Sequence, residues 1–337
     1  MKKVGIKDIA AEAGVSIATV SHALRNPGRV ADATRQKVLL AADKAGYTPN
    51  RLAASLRTAR SGNIVVIIPD VADSYNAGII KAIEKVAHGR GYSVLLGDSQ
   101  GSEAREREFA AMTRSRQADG IILLSHRFPF DPGRGKSAPR DLPPIVNGCE
   151  YTGHKGVPLV AIDDKQAARD ATMHLVGLGH RDIAVITGDM ASRSSRDRLA
   201  GFRQAMRAAG IRVNPKRVME GDYTLQGGER AAQVMLLQKT RPTAIFCFSD
   251  EIAFGCMYAL RQSGFSVPQD ISIIGFDDIP FARYFDPALT TIAQPADAIG
   301  ATCASLLMDL IDGRPPLKSR HILPHELLVR ASTRRLV

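Results

Sequence analysis

From residue 64 onward the chain alternates short apolar runs with longer amphipathic stretches. The runs 64–68, 93–96, 120–124, 159–162, 183–186, 244–248 and 271–274 are of strand length and almost continuously apolar, the pattern of strands covered on both faces. Between and after them a helical period holds over 78–90, 103–116, 165–178, 198–209, 225–237, 252–263 and 296–311, with Gly179 and Gly210 placed as helix stops. This alternation predicts an α/β fold with parallel, doubly wound sheets. A polar Pro/Gly break from Phe130 to Leu142 divides it into two blocks, expected to form two lobes with a ligand cleft between them.

Residues 6–47 read differently, as short helical patterns separated by turn signals at Gly14, Asn26-Pro27-Gly28 and Gly46. They predict a small all-helical unit with its boundary near residue 60, hence domains of 1–60 and 61–337. Within it, Ile6–Ala23 has the spacing of a helix-turn-helix. Ile9, Ala13, Val15, Val20 and Ala23 supply the contact positions, Ala10 permits close approach, and Gly14 can take the left-handed turn. Ser16 would cap a second helix exposing Ile17, Ala18, Ser21 and His22, which could lie in a major groove. The same spacing also suits a plain three-helix packing module.

Charge favours the first alternative. Of the 45 basic and 34 acidic residues among 337, residues 1–60 hold 11 and 4, a local excess of +7; the rest hold 34 and 30. A polyanion such as nucleic acid would therefore be met at the N-terminal unit. Next to it, Asn50–Arg57 reads as a two-turn helix, too short to be stable alone and expected to order on a partner or DNA. Leu56 would then be a wedge for the minor groove, or else an apolar residue of a plain linker tucked onto the next domain.

Other function classes find little support. The N-terminus lacks a secretory pattern, no run approaches a membrane span, and Cys149, Cys247, Cys256 and Cys303 show no CxxC spacing. A soluble, reduced, cytoplasmic protein without disulfides, structural metal or cofactor is expected. Gly133-Arg134-Gly135-Lys136-Ser137 resembles the end of a phosphate-binding loop, but Phe130 stands where that loop requires glycine, and neither GxSxG nor HExxH occurs. An enzyme is not expected. An exported solute-binding protein would share the two-lobed core but would need a signal and have no use for a basic helix-turn-helix.

The residues Ile6-Lys7-Asp8-Ile9-Ala10, Gly14-Val15-Ser16, Thr19-Val20-Ser21-His22, Gly46-Tyr47-Pro49-Asn50 and Leu52-Ala53-Ser55-Leu56 closely resemble the lactose repressor family. The resemblance runs through the chain, with Asp119-Gly120-Ile121-Ile122, Leu178-Gly179-His180-Arg181, Arg198-Leu199-Ala200-Gly201-Phe202 and Gly275-Phe276-Asp277-Asp278. Within the family it is most similar to the cytidine repressors, through Arg127-Phe128-Pro129-Phe130-Asp131 and Thr291-Ile292-Ala293-Gln294-Pro295.

The resemblance implies a homodimeric repressor whose headpieces read operator DNA and whose core, like the periplasmic sugar-binding proteins, takes a small effector between its lobes. It places Ser16, Ile17, Ala18, Thr19, Ser21 and His22 on the recognition helix, Thr34 and Asn50 on backbone contacts, and Ala53 and Leu56 on the hinge helix of about 50–57. Tyr75, Asn76, Arg198, Tyr223, Ser249 and Asp277 become effector positions, fitting a nucleoside such as cytidine or, alternatively, a pentose. Arg198 could instead pair with a carboxylate, and Asp277 could serve only a turn. Four departures from the family pattern stand out: Ala31 replaces a capping Ser, His22 an Arg, Asn76 a Phe and Ser74 a Pro.

Overall fold

The computed structural model describes residues 4–25, 27–47, 60–130, 142–154 and 156–336. The chain divides into two compact units, 1–61 and 62–337. The hinge segment with Asn50, Ala53 and Leu56, and most of the loop with Gly133–Ser137, lie outside the described residues.

The first unit packs α1 (Ile6–Ala13), α2 (Ile17–Arg25) and α3 (Asp32–Lys44) around Ile9, Val20, Ala23 and Val38. Gly14 takes φ +63°, so the chain turns back as its neighbour Val15 donates its amide to Ala10 O at 3.0 Å. The Ser16 hydroxyl then accepts from the Thr19 amide at 3.0 Å, capping α2. Val20 and Ala23 turn inward, while Ser16, Ile17 and Ala18 remain exposed and Thr19, Ser21 and His22 half-buried. Helix α3 starts at Ala31, which offers no side-chain cap.

The second unit contains two six-stranded sheets. The first has the order β11 (Arg320–Leu323), β5 (Leu159–Ile162), β4 (Ile145–Gly148), β3 (Ile121–Leu123), β1 (Asn63–Ile68), β2 (Ser93–Asp98). The second has the order β12 (Glu326–Leu328), β10 (Thr290–Ala293), β9 (Ser272–Asp277), β8 (Ala244–Cys247), β6 (Ile183–Ile186), β7 (Val218–Met219). Pairing is parallel except at β10–β12. The strands β1, β8 and β9 are buried almost throughout, as continuous apolar runs require.

The helices are α4 (Ser74–Gly89), α5 (Glu103–Arg114), α6 (Asp164–Gly177), α7 (Arg193–Ala208), α8 (Leu225–Leu236), α9 (Asp250–Gln262) and α10 (Ala296–Ile311). Two of them begin well before hydrophobic period predicts, α4 by four residues and α7 by five, because Asp73 and Ser192 cap polar first turns, while α6 and α9 begin one and two residues early. The polar break after Phe130 does not separate the lobes. Strands β4 and β5 follow it and join the first sheet with no crossover helix among the described residues, so the chain changes lobe only after β5, again between β10 and α10, and finally between β11 and β12. Close helix approach fixes both lobes: Gly201 of α7 faces the Lys165 carbonyl and Gly300 of α10 the Ile79 carbonyl, where a Cβ would overlap backbone.

Candidate functional site

The carboxyl ends of the parallel strands in both sheets open onto one cleft of about 570 Å³, the position where doubly wound folds place ligands. Pro69 and Asp70 follow β1, Leu124 and Ser125 follow β3, Cys149 and Glu150 follow β4, and Asp277 ends β9. Helix starts bring in Tyr75 and Asn76 from α4 and Ser194 and Arg198 from α7.

Five of the six expected effector residues meet here: Tyr75, Asn76, Arg198, Tyr223 and Asp277. Ser249 does not line the cleft. It is buried, and its hydroxyl accepts the Ile252 amide at 3.1 Å as the cap of α9. Asn76 also has a structural tie, donating from Nδ2 to Asp73 Oδ2 at 2.8 Å.

Arg198 does pair with a carboxylate, one that the sequence did not point to. Its Nε donates to Asp164 Oδ1 at 2.8 Å, its Nη1 to Phe248 O at 2.5 Å, and its guanidinium lies 3.7 Å over the Phe276 ring. Asp277 Oδ1 stands 4.0 Å from the same Nη1 and accepts from Gln294 Nε2 at 2.7 Å. Gln294 in turn accepts from the Tyr75 hydroxyl at 3.0 Å, so a chain of polar contacts joins α4 to β9 through a crossover residue. Burial pushes Asp277 well above the usual carboxylate range against the pull of Arg198, and pushes Asp164 up to about 6.

Backbone strain gathers here as well. Cys149, Tyr223 and Asp277 all have positive φ, at 64°, 65° and 110°, and all line the cleft. Tyr223 packs its ring on Gly188 and shares a hydrogen bond of 2.5 Å with the Ser195 hydroxyl. Across the cleft, Glu150 Oε1 accepts from Ser192 at 2.7 Å and from Ser194 at 2.5 Å, while Glu150 Oε2 is buried without a partner among the described residues.

Among the described residues, seven carboxylates line the cleft (Asp70, Asp73, Glu150, Asp189, Asp222, Glu251 and Asp277), against two guanidiniums, Arg127 and Arg198. Arg127 is already engaged with Gly101 O at 2.7 Å and Glu106 at 3.6 Å. The arrangement favours a neutral or cationic ligand rich in donors and opposes a phosphorylated one.

Comparison with known proteins decides the family. The profile of "Bacterial regulatory proteins, lacI family" matches residues 5–50, and that of "Periplasmic binding protein-like domain" matches 172–333. The "HTH-type transcriptional repressor CytR" of Escherichia coli (strain K12) is 40% identical over 331 residues, 98% of this chain and 96% of that protein. The chain belongs to the lacI family of bacterial regulatory proteins.

Its similarity extends to "HTH-type transcriptional repressor PurR" of Escherichia fergusonii (strain ATCC 35469), 35% identical with 91% of this chain and 90% of that one covered. The crystal structure of the lac repressor dimer bound to operator and the anti-inducer ONPF matches with a TM-score of 0.84 at 29% identity, over 99% of this chain and 100% of that one. This lacI-family chain is a DNA-binding transcriptional repressor, not an enzyme. Among the described residues no helix is long and apolar enough to cross a membrane.

Sequence reasoning missed Asp164, Glu150, Ser192, Ser194, Ser195 and Gln294. The serines were legible in principle, since Ser192 before Arg-Ser-Ser-Arg is a cap signal that moves the start of α7 back to the cleft. Glu150 and Gln294 sit in connections with no periodic signal at all.

Proposed function

We propose that this repressor releases or grips its operator according to a nucleoside, cytidine being the favoured one, held in the cleft between its lobes. The observation that carries this reading is the cleft itself: seven carboxylates and two tyrosines line it, while both guanidiniums are engaged by protein acceptors. Ribose hydroxyls would donate to Asp277, the base would lie against Tyr75 or Tyr223, and Glu150 Oε2 would accept a ligand hydroxyl or amine. Phosphate, by contrast, has no free cation to meet it among the described residues. The similarity to CytR supports the nucleoside over a pentose, which the lost phenyl wall at Asn76 would otherwise suit equally.

The DNA-reading roles follow the family pattern as part of the same proposal. Two copies of α2, one per protomer of a homodimer, would enter successive major grooves with Ser16, Ile17, Ala18, Thr19, Ser21 and His22 toward the bases. Thr34 and Asn50 would contact phosphates, and Ala53 and Leu56 the minor groove. The exposed N-terminal half of α2 supports this.

Thermal-shift titration of the full chain with cytidine, cytidine monophosphate and ribose tests the effector, because a ligand bound only by the native state raises the melting point. Cytidine alone should do so. Asp277→Ala should abolish that shift while operator affinity stays unchanged; a shift with ribose equal to that with cytidine would overturn the nucleoside.

A further inference from the structure

Eight of the core's 34 basic residues fall between Arg193 and Arg217, with a single acid, Asp197, leaving the rest of the core with 26 basic and 29 acidic residues. The excess is therefore local. Two of the eight face inward: Arg198 into the cleft and Arg217 onto Asp182. Arg193 pairs with Asp197 at 2.7 Å. Arg196, Arg203, Arg207, Arg212 and Lys216 remain exposed, and Lys165 from α6 joins them.

The side chains of Arg203, Arg207, Arg212, Lys216 and Lys165 make no hydrogen bond or ion pair with any other described residue. Arg196 is held by the carbonyls of Met190 and Ala191 at 3.0 and 2.6 Å, which fixes the group without neutralising it. On α7, residues 196, 203 and 207 share one face and span about 16 Å.

Arg203 and Arg207 form a ridge between two grooves of about 660 Å³ each. One is floored by Ile211, Val213 and Val218 with Arg212 beside them, the other by Met190, Leu199 and Ala200 with Arg196 and Lys165. Among the described residues neither lining contains a carboxylate. A plain solvated face would not place apolar grooves on both sides of its cations. A nucleic-acid backbone or polyphosphate would meet the charge but leave the grooves empty.

We infer that the outer face of α7 docks another protein through an acidic amphipathic segment, with Asp or Glu on the arginine ridge and large apolar side chains in the flanking grooves. Charge complementarity brings the segment in, and the grooves select it over other polyanions.

The test uses the full-length repressor with its headpiece saturated by operator duplex, so that the other basic surface is occupied. A labelled synthetic peptide with glutamate and leucine at helical spacing is titrated by fluorescence polarisation, beside a peptide of equal charge with serine for leucine. The leucine peptide should bind more tightly than the serine peptide, and Arg203→Glu with Arg207→Glu should weaken it at least about tenfold. Operator affinity and melting temperature should not change. Should the double reversal lower the melting temperature, Arg203→Gln with Arg207→Gln removes the charge more gently and should also weaken binding. The inference is overturned by a wild-type protein that ignores the leucine peptide, by equal affinity for both peptides, by non-operator duplex displacing the peptide with equal strength, or by charge variants that bind the peptide as wild type does.

Discussion

Replacing Gly188 by Ala should reshape the cleft without removing a polar side chain. A Cβ on Gly188 would come to 2.5 Å from Tyr223 Cε1 and nearer still to Cζ and Cε2. Carbon atoms rest at about 3.5–4.0 Å, so the ring would have to retreat by more than about 1 Å. Its backbone is already left-handed, at φ 65°, and its hydroxyl is tied to Ser195 at 2.5 Å, so retreat breaks that bond and drives the ring toward the cleft it lines. Overpacking of this kind costs about 1–3 kcal/mol and the lost hydrogen bond about 1 kcal/mol. If half of that, about 1–2 kcal/mol, falls on the liganded state, effector affinity drops about fivefold to thirtyfold. Calorimetry with cytidine reads the loss, and an operator gel shift should show unchanged binding but weaker response. Tyr223→Phe keeps the ring and removes only the hydroxyl, so its loss should be smaller. A folded Gly188→Ala protein binding effector as tightly as wild type would show that Tyr223 is no wall of the ligand site.

Ala31→Ser should stabilise the headpiece by about 1 kcal/mol, because α3 now starts without a side-chain cap; melting followed by circular dichroism checks it, and no gain would mean the cap cannot form. Arg217→Ala should destabilise the core by about 3 kcal/mol in urea unfolding, since its buried guanidinium donates to Asp182 at 2.7 and 2.6 Å and to Gln238 at 2.7 Å; Asp182 is partly exposed, which keeps the loss at the low end for such pairs. His174, bonded to Thr333 at 3.0 Å, is held toward its neutral form by burial and by neighbouring His180, so its folded pKa lies below the unfolded one. Its contribution is then full above about pH 6.5 and lost as pH falls below it, and the stability difference between wild type and His174→Gln should narrow from about pH 8 to about pH 5; a difference independent of pH would refute the assignment.

Where the sequence carried strong periodicity, it was readable almost to the residue: β5, β6 and α10 have the predicted bounds, and α2 exposes Ile17 and Ala18 as its spacing required. What it could not give was the lobe boundary. Parallel strands normally need a helix to cross over, yet among the described residues none lies between β3, β4 and β5, so the βα rhythm falters inside the first lobe and resumes in the second. The cleft shows the same division. Tyr75, Arg198 and Asp277 were found by resemblance, but Asp164, the residue that fixes Arg198, lies 34 positions away at the start of another helix. Such a pairing is a property of packing, not of local pattern. Ser249 illustrates the reverse, a polar residue that looks like a ligand contact and is consumed by the helix it begins.

The polar bonds that cross the cleft indicate how a ligand there could bias the lobes. Ser192 and Ser194 of the second lobe donate to Glu150 of the first, the Ser74 amide donates to Glu251 at 3.3 Å, and Tyr75 reaches Asp277 through Gln294. Every one of these bonds ends on a residue lining the cleft, so a molecule seated there must either keep them or replace them. A ligand shifts an equilibrium only by its differential affinity for the two arrangements. Bonds to a charged group such as Glu150 are worth about 1.5–3 kcal/mol each, so exchanging even one for a ligand hydroxyl covers the usual span of allosteric coupling. A neutral polyol can make that exchange donor for donor. A phosphate cannot, because it brings acceptors and negative charge to a cleft where, among the described residues, carboxylates outnumber guanidiniums, and the electrostatics that would select a neutral ligand would then also set how it biases the lobes.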